Sequence, residues 1–357
     1  LVVLVGAVFL SQPASLIVNR LDIPALEGEA FGGFSWLMLL VLGVILVYYI
    51  AATLLPVDKI IGRIYPVFGV ALLFMALGVF FVLLFSGRYT IPEFTSFENC
   101  LTDAHEFPIV PMLFTTIACG AISGFHATQS PLMARCMRSE GESRSVFYGA
   151  MISESIVALI WAAIGMAFWG DVAGLNAAIA RYDGQAAILI DLIATETLGP
   201  VLAAFVIFGV VACAITSGDT AFRSARLIVA DFLGIEQRSL RKRIWISLPL
   251  FAAGLVIIFA LPFQVMWSYF AWMNQTLAVV TLWMIVVYFA RRGRGVAVGL
   301  IPALIMTYVC ASYIFVSPLM FGMHNRVAAY VLGGVLTLAM LVWIIIKLRR
   351  DHAKGNA

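Results

Sequence analysis

The sequence contains few charged residues. Of its 357 residues, 22 are Lys or Arg and 19 are Asp or Glu, which together make up 11% of the chain. A soluble globular chain carries about twice that share of charge, so a soluble fold is excluded. Hydrophobic residues make up 63%, and the apolar runs recur at the length that a bilayer core of about 30 Å requires. The composition therefore predicts an all-α polytopic membrane protein, with one transmembrane domain over residues 1–357 and no soluble domain.

Motifs for membrane-bound enzymes are also missing. The five cysteines are scattered without a CxxC pair, so the sequence predicts neither a disulfide framework nor a thiol metal site. It contains no HExxH and no pair of membrane aspartates in a GxGD setting. Histidines at membrane depth do not come in pairs, which argues against haem. We expect no enzymatic activity, no catalytic residues, no metal site and no cofactor.

The apolar runs predict ten membrane spans. They cover residues 1–18, 34–54, 64–86, 108–133, 145–169, 199–222, 244–262, 264–290, 297–320 and 326–348. The chain opens inside an apolar run without an initiator Met, so we expect further spans upstream. A helical piece at Ala186–Thr195 is interpreted as the cap of an external vestibule or as a simple surface helix.

Lys and Arg alternate from one connection to the next. They are enriched after the second, fourth, sixth and eighth spans and in the C-terminal tail. The positive-inside rule places such segments in the cytoplasm. The sequence thus predicts a cytoplasmic C-terminus, with the connections after the first, third and fifth spans outside.

The fourth span is polar where a lipid-facing helix should be apolar. Residues 119–136 read CGAISGFHATQSPLMARC, and unsatisfied polar groups in hydrocarbon cost several kcal/mol each. We interpret this segment as a helix broken at a substrate site. Its predicted second half begins at Pro131, and the N-terminus of that half would attract a carboxylate.

The candidate substrate-binding residues lie in this segment and in the eighth span. They are Gly120, Ser123, Gly124, His126, Thr128, Gln129 and Asn274. The alternative is that Gly120 and Gly124 form a GxxxG helix-packing motif, while residues 128–130 only cap the second helix. For Asn274 and its neighbour Gln275, hydrogen bonds between helices are the first interpretation.

Two ionisable residues are candidates for proton coupling. Glu154 lies toward the middle of the fifth span, where carboxyl groups are costly and usually functional; burial would favour its protonated form. His126 could relay protons near neutral pH. The alternatives are a hydrogen-bonded neutral acid and a structural histidine.

The end of the sixth span carries a cluster of hydroxyl groups. Thr216, Ser217 and Thr220 share one broad face with small residues, and hydroxyls beside a loosened backbone can coordinate a small cation. Asp219 and Arg223 are spaced for an ion pair within one helix turn.

Several of these segments resemble the carbon starvation protein A family. The resemblance is carried by Cys119–Pro131, Met133–Cys136, Phe147–Met151, Leu159–Ala162 and Thr216–Arg226. By this resemblance, we expect the family's N-terminal helices to be absent from this sequence, and Leu55–Tyr65 is similar to a shorter branch.

The resemblance implies a fold and a function. The fold would be a five-plus-five inverted repeat of the amino acid–polyamine–organocation type without its first helices, in which the fourth span is the unwound helix. The function would be uptake of peptides or pyruvate during carbon starvation, coupled to protons or sodium, in the bacterial inner membrane. The expected partners are a small-molecule substrate and the lipid bilayer, with no nucleic acid. A nutrient sensor and an intramembrane enzyme are the alternatives.

Overall fold

The computed structural model describes residues 1–21, 23–26, 28–54, 58–93, 98–101, 104–182 and 184–355, and only the backbone of residues 53–54, 58–65, 117–121, 132 and 352–355. The described chain is almost entirely helical, apart from one short hairpin. The helices are α1 (Val2–Leu21), α2 (Trp36–Leu54), α3 (Asp58–Phe85), α4 (Ile109–Ala121), α5 (Gly124–Cys136), α6 (Ala150–Phe168), α7 (Val172–Arg181), α8 (Ala186–Leu233), α9 (Leu240–Ala260), α10 (Phe263–Arg291), α11 (Ala297–Val316) and α12 (Arg326–Gly355).

Short elements connect these helices. The hairpin consists of β1 (Glu29–Phe31) and β2 (Phe34–Ser35), paired antiparallel directly before α2. Two short 3₁₀ turns lie at Pro24–Leu26 and Glu140–Glu142, and a π-helical turn lies at Arg144–Gly149.

Eight helical stretches in the described chain are long and apolar enough to cross a membrane. The shorter apolar stretch Trp36–Ala52 and the interrupted pair α4–α5 match the second and fourth predicted spans. An all-α polytopic membrane fold is therefore confirmed, whereas the inverted repeat stays a prediction.

The sixth predicted span differs most from the structure. Instead of a helix over 199–222, α8 runs from Ala186 to Leu233 and includes the helical piece predicted before the span. Gly199 has φ 76° and ψ 164°, and Pro200 follows it. Because glycine adopts a positive φ without strain, the chain bends there while helix continues on both sides.

The described residues form two compact units. The first unit contains Leu1–Ser96 and Ser153–Trp267, and the second contains Phe97–Ile152 and Ser268–Ala357.

In the first unit, α1, α2, α8 and α9 pack around aromatic residues. The Phe222 ring lies 5.8 Å from the ring of Tyr49 and 4.6 Å from that of Phe251. A Cβ at Gly6 of α1 would lie only 2.5 Å from the Phe222 ring. The absence of a side chain at Gly6 thus lets α1 lie directly against α8.

In the second unit, α10, α11 and α12 enclose a smaller core. Trp283, Val286, Met306 and Val309 are buried together there, and the Trp283 indole N–H donates to the Thr307 hydroxyl at 3.0 Å. This core supports α10, the helix that carries Asn274.

Candidate functional site

The fourth predicted span is interrupted, as the sequence predicts. Helix α4 ends at Ala121, and α5 begins at Gly124. Ser123 lies between them with an extended backbone (φ −101°, ψ 127°), and its hydroxyl oxygen accepts a hydrogen bond from the His126 N–H at 3.4 Å. Ser123 is therefore the N-cap of α5, a position for which serine is well suited.

Asn274 of α10 holds this interruption together. The Asn274 side chain is fully buried, and its Oδ1 accepts a hydrogen bond from the Phe125 N–H at 2.7 Å. Its Nδ2 lies 3.2 Å from the Ser123 hydroxyl oxygen. The interhelical hydrogen bond predicted for Asn274 is confirmed, and it satisfies the Phe125 N–H, which the break would otherwise leave unpaired.

Gly124 allows the two helices to come this close. A Cβ at Gly124 would lie 2.3 Å from the Asn274 carbonyl oxygen and 2.7 Å from Cβ of Leu277. Neither group is the mobile end of a side chain, so any larger residue would push α5 away from α10. This agrees with the helix-packing interpretation of the glycine, and it operates at the break itself.

Three of the first four amides of α5 are bonded within the protein. The Phe125 N–H donates to Asn274, the His126 N–H to the Ser123 hydroxyl, and the Ala127 N–H to the Ser123 carbonyl oxygen at 3.2 Å. The helix end keeps its partial positive charge. A substrate carboxylate at this end would find these three donors in use.

The expected start of the second helix at Pro131 is wrong. Pro131 lies inside α5, and the cap lies upstream at Ser123. The hydroxyl of Thr128 donates back to the Phe125 carbonyl, and that of Ser130 to the His126 carbonyl, both at 2.7 Å. Because these hydroxyls donate to carbonyls of the preceding turn, they do not cap a following helix.

The other candidates in this segment lie along α5. His126, Thr128 and Gln129 are half-buried, and Gln129 Nε2 donates to the Thr128 hydroxyl oxygen at 3.2 Å. Gly120 belongs to α4, and its surroundings lie outside the described residues. Gln275 is fully buried and donates to the Thr115 carbonyl at 3.5 Å, which confirms its predicted bond between helices.

Glu154 belongs to the first unit. It lies near the start of α6, and its side chain is exposed, so the burial expected for it is not observed. Glu154 is close enough to the Cys213 thiol of α8 to interact with it electrostatically. Its role in proton coupling stays a prediction.

The hydroxyl cluster of α8 adjoins Cys213. Thr216 and Ser217 both donate to the Cys213 carbonyl at 2.9 Å, and Thr220 donates to the Thr216 carbonyl at 2.9 Å. The loosened backbone expected here is not observed, because α8 is helical throughout this stretch. The oxygen lone pairs remain as potential ligands, and a cation site stays a prediction.

Asp219 and Arg223 form the predicted ion pair. Arg223 Nη2 lies 3.1 Å from Asp219 Oδ2 and also donates to the Ala52 carbonyl of α2 at 3.3 Å. Sequence reasoning missed that Asp219 is fully buried. The run of small residues before it, including Gly218, was a signal that α8 is closely packed at this point.

A hydrogen bond between α1 and α2 was also missed. Proline has no N–H, so Pro13 leaves the carbonyl of Phe9 without its usual partner in α1. The buried hydroxyl of Tyr49 donates to that carbonyl at 2.8 Å. A proline inside an apolar helix was the available signal, since it predicts an unpaired carbonyl four residues earlier.

Comparison with known proteins agrees with the resemblance. The family model of carbon starvation protein CstA matches residues 29–183. An uncharacterized membrane protein of Haemophilus influenzae is 40% identical over 216 residues, which cover 50% of this chain and 58% of that protein.

Two relatives that are named as transporters are also similar. The peptide transporter CstA of Bacillus subtilis is 28% identical over 330 residues, covering 75% of this chain and 53% of that protein. The pyruvate/proton symporter BtsT of Escherichia coli is 32% identical over 110 residues, covering 30% and 13%. The chain thus spans little more than half the length of the relatives that it matches most extensively. No solved structure matches it significantly. The family match and these relatives together support the assignment of this chain to the carbon starvation protein CstA family.

Proposed function

We propose that the chain is part of a secondary active transporter that imports a small carboxylate-bearing nutrient, a peptide or pyruvate. The observation that carries this proposal is the interruption between Ala121 and Gly124 inside an apolar span. Discontinuous membrane helices are the usual sites of substrate and ion binding in secondary transporters. The names of two relatives, a peptide transporter and a pyruvate/proton symporter, support the same class of function.

In this proposal, the substrate binds beside the interruption. Half-buried polar side chains follow the break along α5, at His126, Thr128 and Gln129. Asn274 stabilises the break, since it accepts a hydrogen bond from the Phe125 N–H of the partner helix. We therefore assign Asn274 a positioning role and give the contacts with substrate to the residues of α5.

The proposed coupling ion is a proton, because one relative is a pyruvate/proton symporter. Glu154 and His126 are the proposed carriers. Glu154 interacts electrostatically with Cys213 of α8, and the hydroxyls of Thr216 and Ser217 lie in the following turn of that helix. In this proposal, the ion passes along this part of α6 and α8. The alternative coupling ion is sodium, bound by these hydroxyls. The uptake experiment below distinguishes sodium coupling from proton coupling.

Uptake into proteoliposomes tests the proposal. Labelled dialanine or pyruvate should accumulate when a proton gradient is imposed, and an uncoupler should abolish the accumulation. Equal uptake without any ion gradient would contradict coupling, and accumulation driven by sodium alone would replace the proton.

The carrier is tested by substitution in the same assay. Glu154→Gln should abolish proton-driven accumulation, because the amide cannot carry a proton. Glu98→Gln, in an exposed connection, is the matched control and should transport normally. Accumulation by Glu154→Gln at the normal rate would remove Glu154 as the carrier.

A further inference from the structure

The first unit contains a cavity lined only by its own residues. Its volume is about 720 Å³, within the range of small-ligand sites. It is bounded by the second half of α1, the hairpin and the start of α2, the residue before α8, the end of α9 and the start of α10. The charge distribution predicts that these ends face the outside of the cell.

The polar lining of this cavity is neutral. The polar side chains are Ser11, Gln12, Ser15, Ser35, Gln185 and Gln264. Apolar residues such as Met38 and Ile258 form the remaining wall, and no charged residue of the described chain lines the cavity. Amide and hydroxyl groups both donate and accept hydrogen bonds, so the cavity offers both kinds of partner without a net charge.

Three of these side chains have no partner in the described part of the protein. Gln12, Ser15 and Gln185 form no side-chain hydrogen bond with any described residue. Gln12 and Ser15 lie in the middle of a largely apolar helix, where a polar side chain is costly unless it is paired. A polar ligand in the cavity would supply hydrogen-bond partners for these side chains, and water would supply them when the ligand is absent.

We infer that this cavity is an outer binding site for the amide groups of a short peptide, and that the transporter favours peptides over free monocarboxylates. The inference rests on the proposed transport function and specifies its substrate. A peptide bond presents one donor and one acceptor, which the lining can match. A monocarboxylate would give up its hydration without meeting a cation, which costs far more.

The size and opening of the cavity agree with this substrate. A three-carbon acid would fill only a small part of the volume, whereas a short peptide fills more of it. Gln185 and Gln264 are exposed, so the cavity opens to the surface. The charged ends of a peptide can therefore stay hydrated at this opening while its amide is bound inside.

Protection of an engineered cysteine tests the site directly. In a Cys100→Ser background, Ser15→Cys is labelled from outside with a membrane-impermeant maleimide, with dialanine, pyruvate or neither present. Ser86→Cys, exposed after α3, is the control. Dialanine should slow the labelling of Ser15→Cys about fivefold or more, whereas pyruvate should not, and neither should affect Ser86→Cys.

The outcomes separate this inference from the proposed function. Equal protection by pyruvate would overturn the preference for peptides. Unchanged labelling in dialanine, while dialanine is still transported, would overturn the site and leave the transport function intact. Transport of neither compound would contradict the proposed function, and the labelling would still decide whether the cavity binds peptide.

A second variant gives an independent measurement. Gln12→Leu keeps a side chain of similar size but removes the amide, so the KM for dialanine should rise about fivefold, as expected for one lost hydrogen bond. The rate at saturation should change little. An unchanged KM in folded Gln12→Leu protein would overturn the site.

Discussion

At the scale of single residues, the interruption depends on one missing side chain and one buried amide. Gly124 lets α5 approach α10 until their backbones are in contact. Asn274 then reaches the Phe125 N–H from the facing helix. Since the two residues act at the same point, a change in either should alter the geometry of the whole break.

Gly124→Ala should destabilise the protein and impair uptake. The new Cβ would overlap the Asn274 carbonyl oxygen, and overpacking of this kind costs about 1–3 kcal/mol. The apparent midpoint of thermal unfolding in detergent should therefore fall, and uptake should fall with it.

Gly43→Ala in α2 is the matched control for this substitution. Nothing lies within 4 Å of the position where its Cβ would be, and alanine is favoured over glycine inside a helix by about 0.5–1 kcal/mol. This variant should be as stable as the parent protein or more stable. A Gly124→Ala protein with normal stability would show that the two helices do not approach this closely.

At the scale of elements, α1 relies on α2 where its own hydrogen bonding fails. Pro13 leaves the Phe9 carbonyl unpaired, and Tyr49 supplies the missing donor. The Tyr49 ring has space because position 218 of α8 is glycine; a Cβ there would lie 2.1 Å from the Tyr49 hydroxyl oxygen. Three helices are thus joined at one point of the first unit.

A double-mutant cycle tests this arrangement. Tyr49→Phe should lower the free energy of unfolding by about 1 kcal/mol, since it leaves a buried carbonyl without a donor. In a Pro13→Ala background, the restored backbone N–H can bond the Phe9 carbonyl, so Tyr49→Phe should cost much less. Equal costs in both backgrounds would show that Tyr49 does not replace the bond that proline removes.

The elements also show how far the sequence could predict the structure. Hydropathy located the spans, and the polar composition of residues 119–136 predicted the break. The start of α5 could not be predicted, because its cap includes Asn274, which is distant in the sequence. Likewise, the sequence Gly199–Pro200 predicts a boundary between two helices, whereas the chain only bends there.

The exposure of the Glu154 side chain could not be predicted either. It depends on the packing around α6, which the helical spacing of Glu154 does not encode.

At the scale of the whole molecule, the alternation of charge predicts one orientation in the membrane. A fluorescent protein that matures only in the cytoplasm should fluoresce when fused to the C-terminus. Alkaline phosphatase, which is active only outside, should be active when inserted after Arg88 and inactive when inserted after Arg294, because the connections differ in their content of Lys and Arg. Activity at Arg294 would contradict the predicted orientation, including the external placement of the cavity beside Gln12.

The amide oxygen of Asn274 lies at the N-terminus of α5 and accepts a hydrogen bond from its backbone, as a bound anion does at other helix N-termini. Groups of the protein itself thus bond the Phe125 and His126 amides and keep the interrupted helix capped. A carboxylate could bond the Phe125 N–H only after the asparagine oxygen had left it. The close contact of α10 with Gly124 opposes that exchange, so the packing of these two helices controls access to the N-terminus of α5.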